Sequence, residues 1–253
     1  MLTDTHCHLF NKDYDNIHDI LNNLKEYNIK RIIINGCNHQ TNQEVMKLVD
    51  QYDNVYGALG VHPSDVNDNI EENIKFIENN LNHPKIIAIG EIGLDYYWTK
   101  DNREKQINCF KQLLDLASKH RMPVIIHNRE ANGDMLNILN EYDLIGIMHC
   151  FTGDYELGIK YIKMGYKLGI NGIVTFKNSN LSEIISKIDI KNILLETDAP
   201  YITPAPYRNQ QNEPKYLNII SQKVAEIYGI NEAKLAEILE QNFYDIFDFL
   251  ETK

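Results

Sequence analysis

Two histidines, His6 and His8, stand near the start of the chain in the run Met1-Leu-Thr-Asp-Thr-His-Cys-His-Leu-Phe10. In an extended strand, side chains two residues apart share a face, so both imidazoles point the same way and form the beginning of a metal clamp. A pair of core or surface histidines in an N-terminal strand is the rival reading, and the pair alone does not decide between them. What tips the balance is that His62, Glu91, His127, His149 and Asp198, all of ligand or acid–base type, stand at or directly after other short apolar runs. The remaining histidines, His18, His39, His83 and His120, fall in expected helices or loops and read as solvated or structural.

The set His6, His8, Glu91, His127, His149 and Asp198 exceeds the three protein ligands of a catalytic zinc, which keeps one position for water. Two ions about 3.5–4 Å apart, with the attacking and leaving oxygens of a displacement between them, are the economical reading. Glu91, central in the order, is the expected bridge. His6, His8 and Asp198 would hold one ion, and His127 with His149 the other. Asp198 is also placed to accept the proton of the attacking water and return it to the leaving group.

These residues need a scaffold that brings distant strand ends together. Apolar, β-branched runs occur at Leu2 to Leu9, Arg31 to Asn35, Val55 to Leu59, Ile86 to Ile89, Pro123 to Ile126, Leu144 to Met148, Tyr166 to Ile170 and Asn192 to Leu195. Each is too short for a stable helix, and most are apolar on successive residues, as strands covered on both faces are. Segments with helical spacing lie between them, such as Ile17, Ile20, Leu21, Leu24 and Ile107, Phe110, Leu113, Leu114, Ala117. The pattern predicts an α/β fold, a single (β/α)8 TIM-like barrel over residues 1–253, closed by helices around Tyr216 to Tyr228 and Glu232 to Leu250. Barrel enzymes build their sites at the C-terminal strand ends, where all the singled-out residues fall.

Composition narrows the function classes. The 253 residues are 43% hydrophobic and 24% charged, ordinary for a globular chain. There is no apolar run of membrane-span length and no signal-peptide pattern at the N-terminus, so a cytoplasmic protein without membrane contact is expected. Cys7, Cys37, Cys109 and Cys150 lack paired zinc spacing and read as free thiols, Cys7 and Cys150 as small buried hydrophobes. A formal net charge of −11 argues against broad adhesion to nucleic acid, though metals can supply local positive charge for a phosphate site.

The segments Asp4-Thr-His-Cys-His-Leu9, Gly60-Val-His-Pro63, Ile89-Gly-Glu-Ile-Gly-Leu-Asp-Tyr-Tyr97, His127-Asn-Arg-Glu-Ala131, His149-Cys-Phe-Thr-Gly153 and Leu195-Glu-Thr-Asp-Ala-Pro-Tyr201 resemble, in order, the signature of the TatD family of metal-dependent deoxyribonucleases. The resemblance runs from residue 4 to Pro214. It implies an amidohydrolase-like barrel with two divalent ions on residues matching His6, His8, Glu91, His127, His149 and Asp198. It also implies hydrolysis of DNA phosphodiesters, as a 3' to 5' exonuclease on single strands or frayed ends; separately, a monomer is expected. Four imidazoles favour Zn, Mn, Co or Fe over Mg on ligand softness, whereas family members are usually Mg-dependent, so the expected ions are Zn, Mn or Mg.

Substrate contacts are read from the same rim. Arg129, two residues after His127, suits a phosphate oxygen, with a structural salt bridge as the rival reading. His62 contacts either substrate or its own loop, and Asp95 either holds a ligand imidazole or caps a turn. Gly90 and Gly93 read as positions of close backbone approach beside Glu91. Thr203 to Pro214 reads as a rigid loop whose one cation is Arg208. The family usually carries more Lys or Arg there, and commonly Ser at the position of Asn128, so substrate preference is where this chain departs. Tyr96, Tyr97, Trp98, Phe151, Phe176, Tyr201 and Tyr207 offer rings for base stacking or for packing the loops, with Tyr97 taken as a substrate contact. Lys100, Arg103 and Lys177 are candidates to follow the backbone. Two other functions compete: hydrolysis of a small amide, ester or lactone on the same centre, and a barrel that binds without turnover.

Overall fold

The computed structural model describes residues 1–66, 70–97 and 101–250, so Trp98 and Lys100 lie outside the described residues. All eight apolar runs form strands: β1 (Leu2–Cys7), β2 (Ile29–Asn35), β3 (Val55–Leu59), β4 (Ile86–Asp95), β5 (Val124–Arg129), β6 (Gly146–Met148), β7 (Tyr166–Ile170) and β8 (Ile193–Leu195). They lie in one sheet in chain order, β1 to β8. The first and last strands also meet, since the Thr5 hydroxyl donates to the Leu195 carbonyl at 3.0 Å. The fold is the expected (β/α)8 barrel.

Nine helices are described: α1 (Ile17–Asn22), α2 (His39–Gln51), α3 (Ile70–Asn80), α4 (Arg103–His120), α5 (Asn132–Leu139), α6 (Tyr155–Lys163), α7 (Leu181–Ile185), α8 (Leu217–Tyr228) and α9 (Glu232–Tyr244). Helical spacing places their apolar faces inward, as in α4, where Phe110, Leu113, Leu114 and Ala117 are buried.

Three boundaries differ from the sequence expectation by three residues or more. β4 runs on past Ile89 to Asp95 and β5 past Ile126 to Arg129, because Gly93 pairs with His127, Leu94 with Asn128 and Asp95 with Arg129. Glu91, His127 and Arg129 therefore sit within strands rather than in loops. α9 stops at Tyr244 instead of reaching Leu250, and Asp248–Leu250 form a 3-10 turn. Phe243 and Phe247 are both fully buried, and Asp245 is drawn to Lys167 Nζ at 2.8 Å, which takes the chain off the helical line.

The chain divides into two compact units, residues 1–34, 150–163 and 167–253 in one and 35–149 with 164–166 in the other. In the first, α9 is pinned at the start of β2. Arg31 stacks on Phe243 at 3.9 Å and pairs with Glu240 at 2.6 Å. Nearby, Asn242 Nδ2 donates to the carbonyls of Ile190 and Ile193, both at 2.8 Å. In the second, β3 to β6 form a continuous parallel ladder, and β4 is buried at every position. No described helix is long and apolar enough to cross a membrane.

Candidate metal centre

His6, within β1, and His8, just after it, do share a face: their Nε2 atoms are 3.0 Å apart, with the rings edge to face. Asp198 Oδ1 lies 3.8 Å from His6 Nε2 and 3.7 Å from His8 Nε2. All three residues are buried. The segment after β8 is brought here by backbone pairing, with Asp198 N donating to His6 O at 2.9 Å and His8 N to Ala199 O at 2.6 Å. Asp198 adopts a left-handed backbone, φ 57°, which Asp and Asn tolerate better than most residues and which recurs at functional sites.

Beneath this group is a tie to which the sequence assigns no role. The buried Asp4 carboxylate accepts from Thr197 N at 2.9 Å, Thr197 Oγ1 at 2.5 Å and His6 N at 3.3 Å. Burial pushes its pKa up to about 7, with the Thr197 and His6 hydrogen bonds acting the other way. Asp4 and Thr197 thus fix the strand that carries His6 against the turn that carries Asp198. Buried Asn212 extends the support, donating to Thr197 O at 2.7 Å and Tyr201 O at 2.5 Å and accepting at its own carbonyl from Tyr14 Oη.

A second group sits at the ends of β3 to β6. Glu91 Oε1 is 2.9 Å from His127 Nδ1, 3.6 Å from His62 Nε2 and 3.7 Å from His149 Nε2. Gly93 permits the approach of β5: its φ is 145°, and a Cβ there would collide with the His127 carbonyl oxygen. His127 Nε2 meets Asp95 Oδ2 at 3.0 Å, while Asp95 Oδ1 accepts from Tyr97 N at 2.9 Å. Asp95 therefore plays both the imidazole-holding and the turn-capping part. Burial works against a charged His127 ring, yet its hydrogen bonds to Asp95 and Glu91 outweigh it and raise the pKa. Burial likewise acts to raise Asp95, but the His127 and Tyr97 hydrogen bonds and the Arg129 charge leave its pKa lowered. His62 uses Nδ1 on its own loop, 2.7 Å from Ser64 Oγ and 3.1 Å from Ser64 N, which turns Nε2 toward Glu91.

Both groups fit a divalent cation. Ligands bound at about 2.0–2.2 Å stand about 3–3.5 Å apart, and here imidazole nitrogens and carboxylate oxygens converge at 3.0–3.8 Å in the first group and 2.9–3.7 Å in the second. With Asp95 accepting from His127 Nε2–H, Nδ1 keeps its lone pair for a metal. Asp95→Asn is therefore expected to weaken metal binding about 10- to 100-fold with little change in melting temperature, measured by calorimetric titration of metal-stripped protein.

Around the rim the sequence-predicted contacts separate. The Arg129 guanidinium stacks on the exposed Tyr97 ring at 3.6 Å, and Arg208 stacks on Phe176 at 3.7 Å. Tyr201 is exposed, Tyr207 packs against Tyr216 at 5.2 Å, and Tyr96 and Phe151 are buried as packing residues. Arg103 is not available to follow a backbone, because Asp134 holds it through two bonds of 2.7 Å; Lys177 stays exposed. The loop after β8 is tied down, with Thr203 Oγ1 donating to Gln210 O at 2.7 Å and Tyr216 Oη to Gln210 Oε1 at 2.5 Å. Asn128 bonds Asn132 at 2.7 Å. Cys7 is buried as expected, but Cys150 is only half-buried; its φ is 50°, and its N–H donates to buried Glu196 at 2.7 Å. His39, His83 and His120 make structural contacts with Gln43, Asp50 and Glu78, and His18 is exposed.

Comparison with known proteins bears on the family and the fold. The sequence profile described as TatD related DNase matches residues 3–248. An uncharacterized metal-dependent hydrolase of Bacillus subtilis, YabD, is 37% identical, with 98% of this chain and 99% of that protein covered. YcfH of Escherichia coli, also named an uncharacterized metal-dependent hydrolase, is 32% identical over 97% of this chain and 95% of its own length. The crystal structure of YjjV, a TatD homologue from Escherichia coli, superposes with a TM-score of 0.89 at 27% identity, covering 98% of both chains. A lactonase from Deinococcus radiodurans shares the fold at a TM-score of 0.67 and 11% identity, with 97% of this chain and 95% of that one covered. The chain belongs to the TatD family of metal-dependent hydrolases.

Proposed function

We propose that this hydrolase is a deoxyribonuclease that cleaves DNA phosphodiester bonds with water, working from 3' to 5' on single strands or frayed ends. The observation that carries the reading is the Tyr97–Arg129 stack. Arg129 pairs in register with Asp95, the residue that holds His127, so a guanidinium lies within one strand rung of the ligand group. Stacking on Tyr97 fixes the plane of a guanidinium fork whose shape suits a phosphate, and an exposed tyrosine ring suits stacking with a base. Arg208 on Phe176 repeats the device on the tied loop after β8.

Two divalent ions, Zn, Mn or Mg, fit as cofactors, one with His6, His8 and Asp198 and one with Glu91, His127 and His149. When bound, such ions polarise phosphoryl oxygens and make a water nucleophile available near neutral pH. The protein's own part is positional and acid–base. Asp198 accepts the proton of the attacking water and delivers it to the departing sugar oxygen. Asp95 orients His127, and Arg129 and Arg208 stabilise charge on the phosphate. Arg129→Ala should raise KM for an oligonucleotide about tenfold while kcat changes less than threefold, as steady-state kinetics would show.

A second reading, hydrolysis of a small amide, ester or lactone, draws on the net charge of −11, which suits an anionic polymer poorly. Turnover of oligonucleotides and of small amides and lactones by the same metal-loaded preparation separates the two. Faster turnover of the small substrates would replace the nuclease reading.

A further inference from the structure

We infer that Asn42, on the helix after β2, is a positioning residue for the Glu91 group, acting through the backbone of Gly60. Asn42 is fully buried, and its side chain makes two bonds to one residue: Nδ2 donates to Gly60 O at 2.8 Å, and Oδ1 accepts from Gly60 N at 3.1 Å. Gly60 follows the end of β3, where the strand ladder stops. The amide of Asn42 thus supplies there the donor and acceptor that a neighbouring strand would have supplied.

Gly60 in turn lies directly against the ligand strand. A Cβ on Gly60 would strike the Glu91 carbonyl oxygen and come within 2.5 Å of Gly90 C and 2.7 Å of Glu91 N. Gly36 completes the arrangement. Its carbonyl accepts from Glu91 N at 3.0 Å, its own N–H donates to Ala58 O at 2.9 Å, and a Cβ there would collide with the Asn42 side chain. His62, two residues beyond Gly60, is bound through its N–H to Cys37 O at 2.8 Å. Asn42 itself is held in place because α2 begins with a capping box, Asn38 with Thr41, that fixes the helix start. One buried amide therefore holds the peptide against which Glu91 rests and the strand exit from which His62 projects.

The inference rests on Glu91 and His62 facing a bound cation, and not on DNA being the substrate. Its test reads metal binding without substrate. Metal-stripped Asn42→Ala and Gly60→Ala are titrated with Mn²⁺ by calorimetry, at a temperature well below each melting point, beside Asn242→Ala. Asn242 is the control, because it is likewise a buried amide with two bonds to backbone groups, the carbonyls of Ile190 and Ile193, but at the start of β8. Both site variants are expected to bind Mn²⁺ about tenfold or more weakly than the parent, and to lower kcat more than they raise KM. Asn242→Ala should lose thermal stability and keep the parent affinity. Parent-like Mn²⁺ affinity in folded Asn42→Ala and Gly60→Ala would overturn the inference, as would an equal loss in Asn242→Ala. Failure of both site variants to fold would also overturn it, by making Asn42 a folding residue. A parent that binds Mn²⁺ but cleaves no oligonucleotide would sink the nuclease reading and leave this one standing.

Discussion

Asp198→Asn is expected to lower kcat by about 10³-fold or more while the protein stays folded, because the substitution removes the proton acceptor and weakens one metal ligand at once. The effect can be read cleanly because of where Asp198 sits. Its backbone is left-handed, with φ 57°, and Asn tolerates that conformation as well as Asp does. Its N–H bond to His6 O does not depend on the side chain, and the Asp4–Thr197 tie that holds the turn is untouched. An unchanged melting temperature for the metal-free variant, with turnover near background, is the expected result. A kcat within tenfold of the parent would remove Asp198 from the chemistry.

Glu91→Gln should have the next largest effect, lowering metal affinity by at least the hundredfold at the upper end for outer-shell partners, since here a direct ligand loses its charge. The shape is kept, so the buried strand is not disturbed. The metal-free protein gives an independent readout. Glu91 is one of the groups that raise the His127 pKa against the effect of burial. A raised histidine pKa contributes stability that is complete below the unfolded value, about 6.5, and is lost as pH rises through the folded value. Metal-free parent protein should therefore lose stability from this source as pH climbs above about 6.5, and Glu91→Gln should show a shallower decline. Urea midpoints across that range would measure both slopes, and equal slopes would contradict the coupling.

Much of this was legible in the sequence because it rests on short-range periodicity. The eight strands follow from unbroken β-branched runs, and the convergence of His6 and His8 follows from the two-residue repeat of a strand. The extension of β4 to Asp95 was hidden because its continuous apolar run stops at Ile89; Gly90 and Gly93, read as positions of close approach, are where β5 comes near. Long-range ties left no local signal. Asp4 and Thr197 are 193 residues apart, and Asn42 reaches Gly60 from the first turn of an ordinary amphipathic helix. Arg103 looked like a free cation because its partner Asp134 lies one strand and one helix further on. The end of α9 depended on Lys167 capturing Asp245 across 78 residues.

The central claim, that these two groups of ligands make a metal-dependent nuclease, is tested most directly by stripping the protein of metal, adding back Mg, Mn or Zn separately, and following end-labelled single- and double-stranded oligonucleotides. The account predicts no cleavage by the stripped protein, restored cleavage with at least one ion, faster loss of single strands from the 3' end, and no cleavage by Glu91→Gln or Asp198→Asn. Intact oligonucleotides with every ion, or parent-like cleavage by both variants, would contradict it.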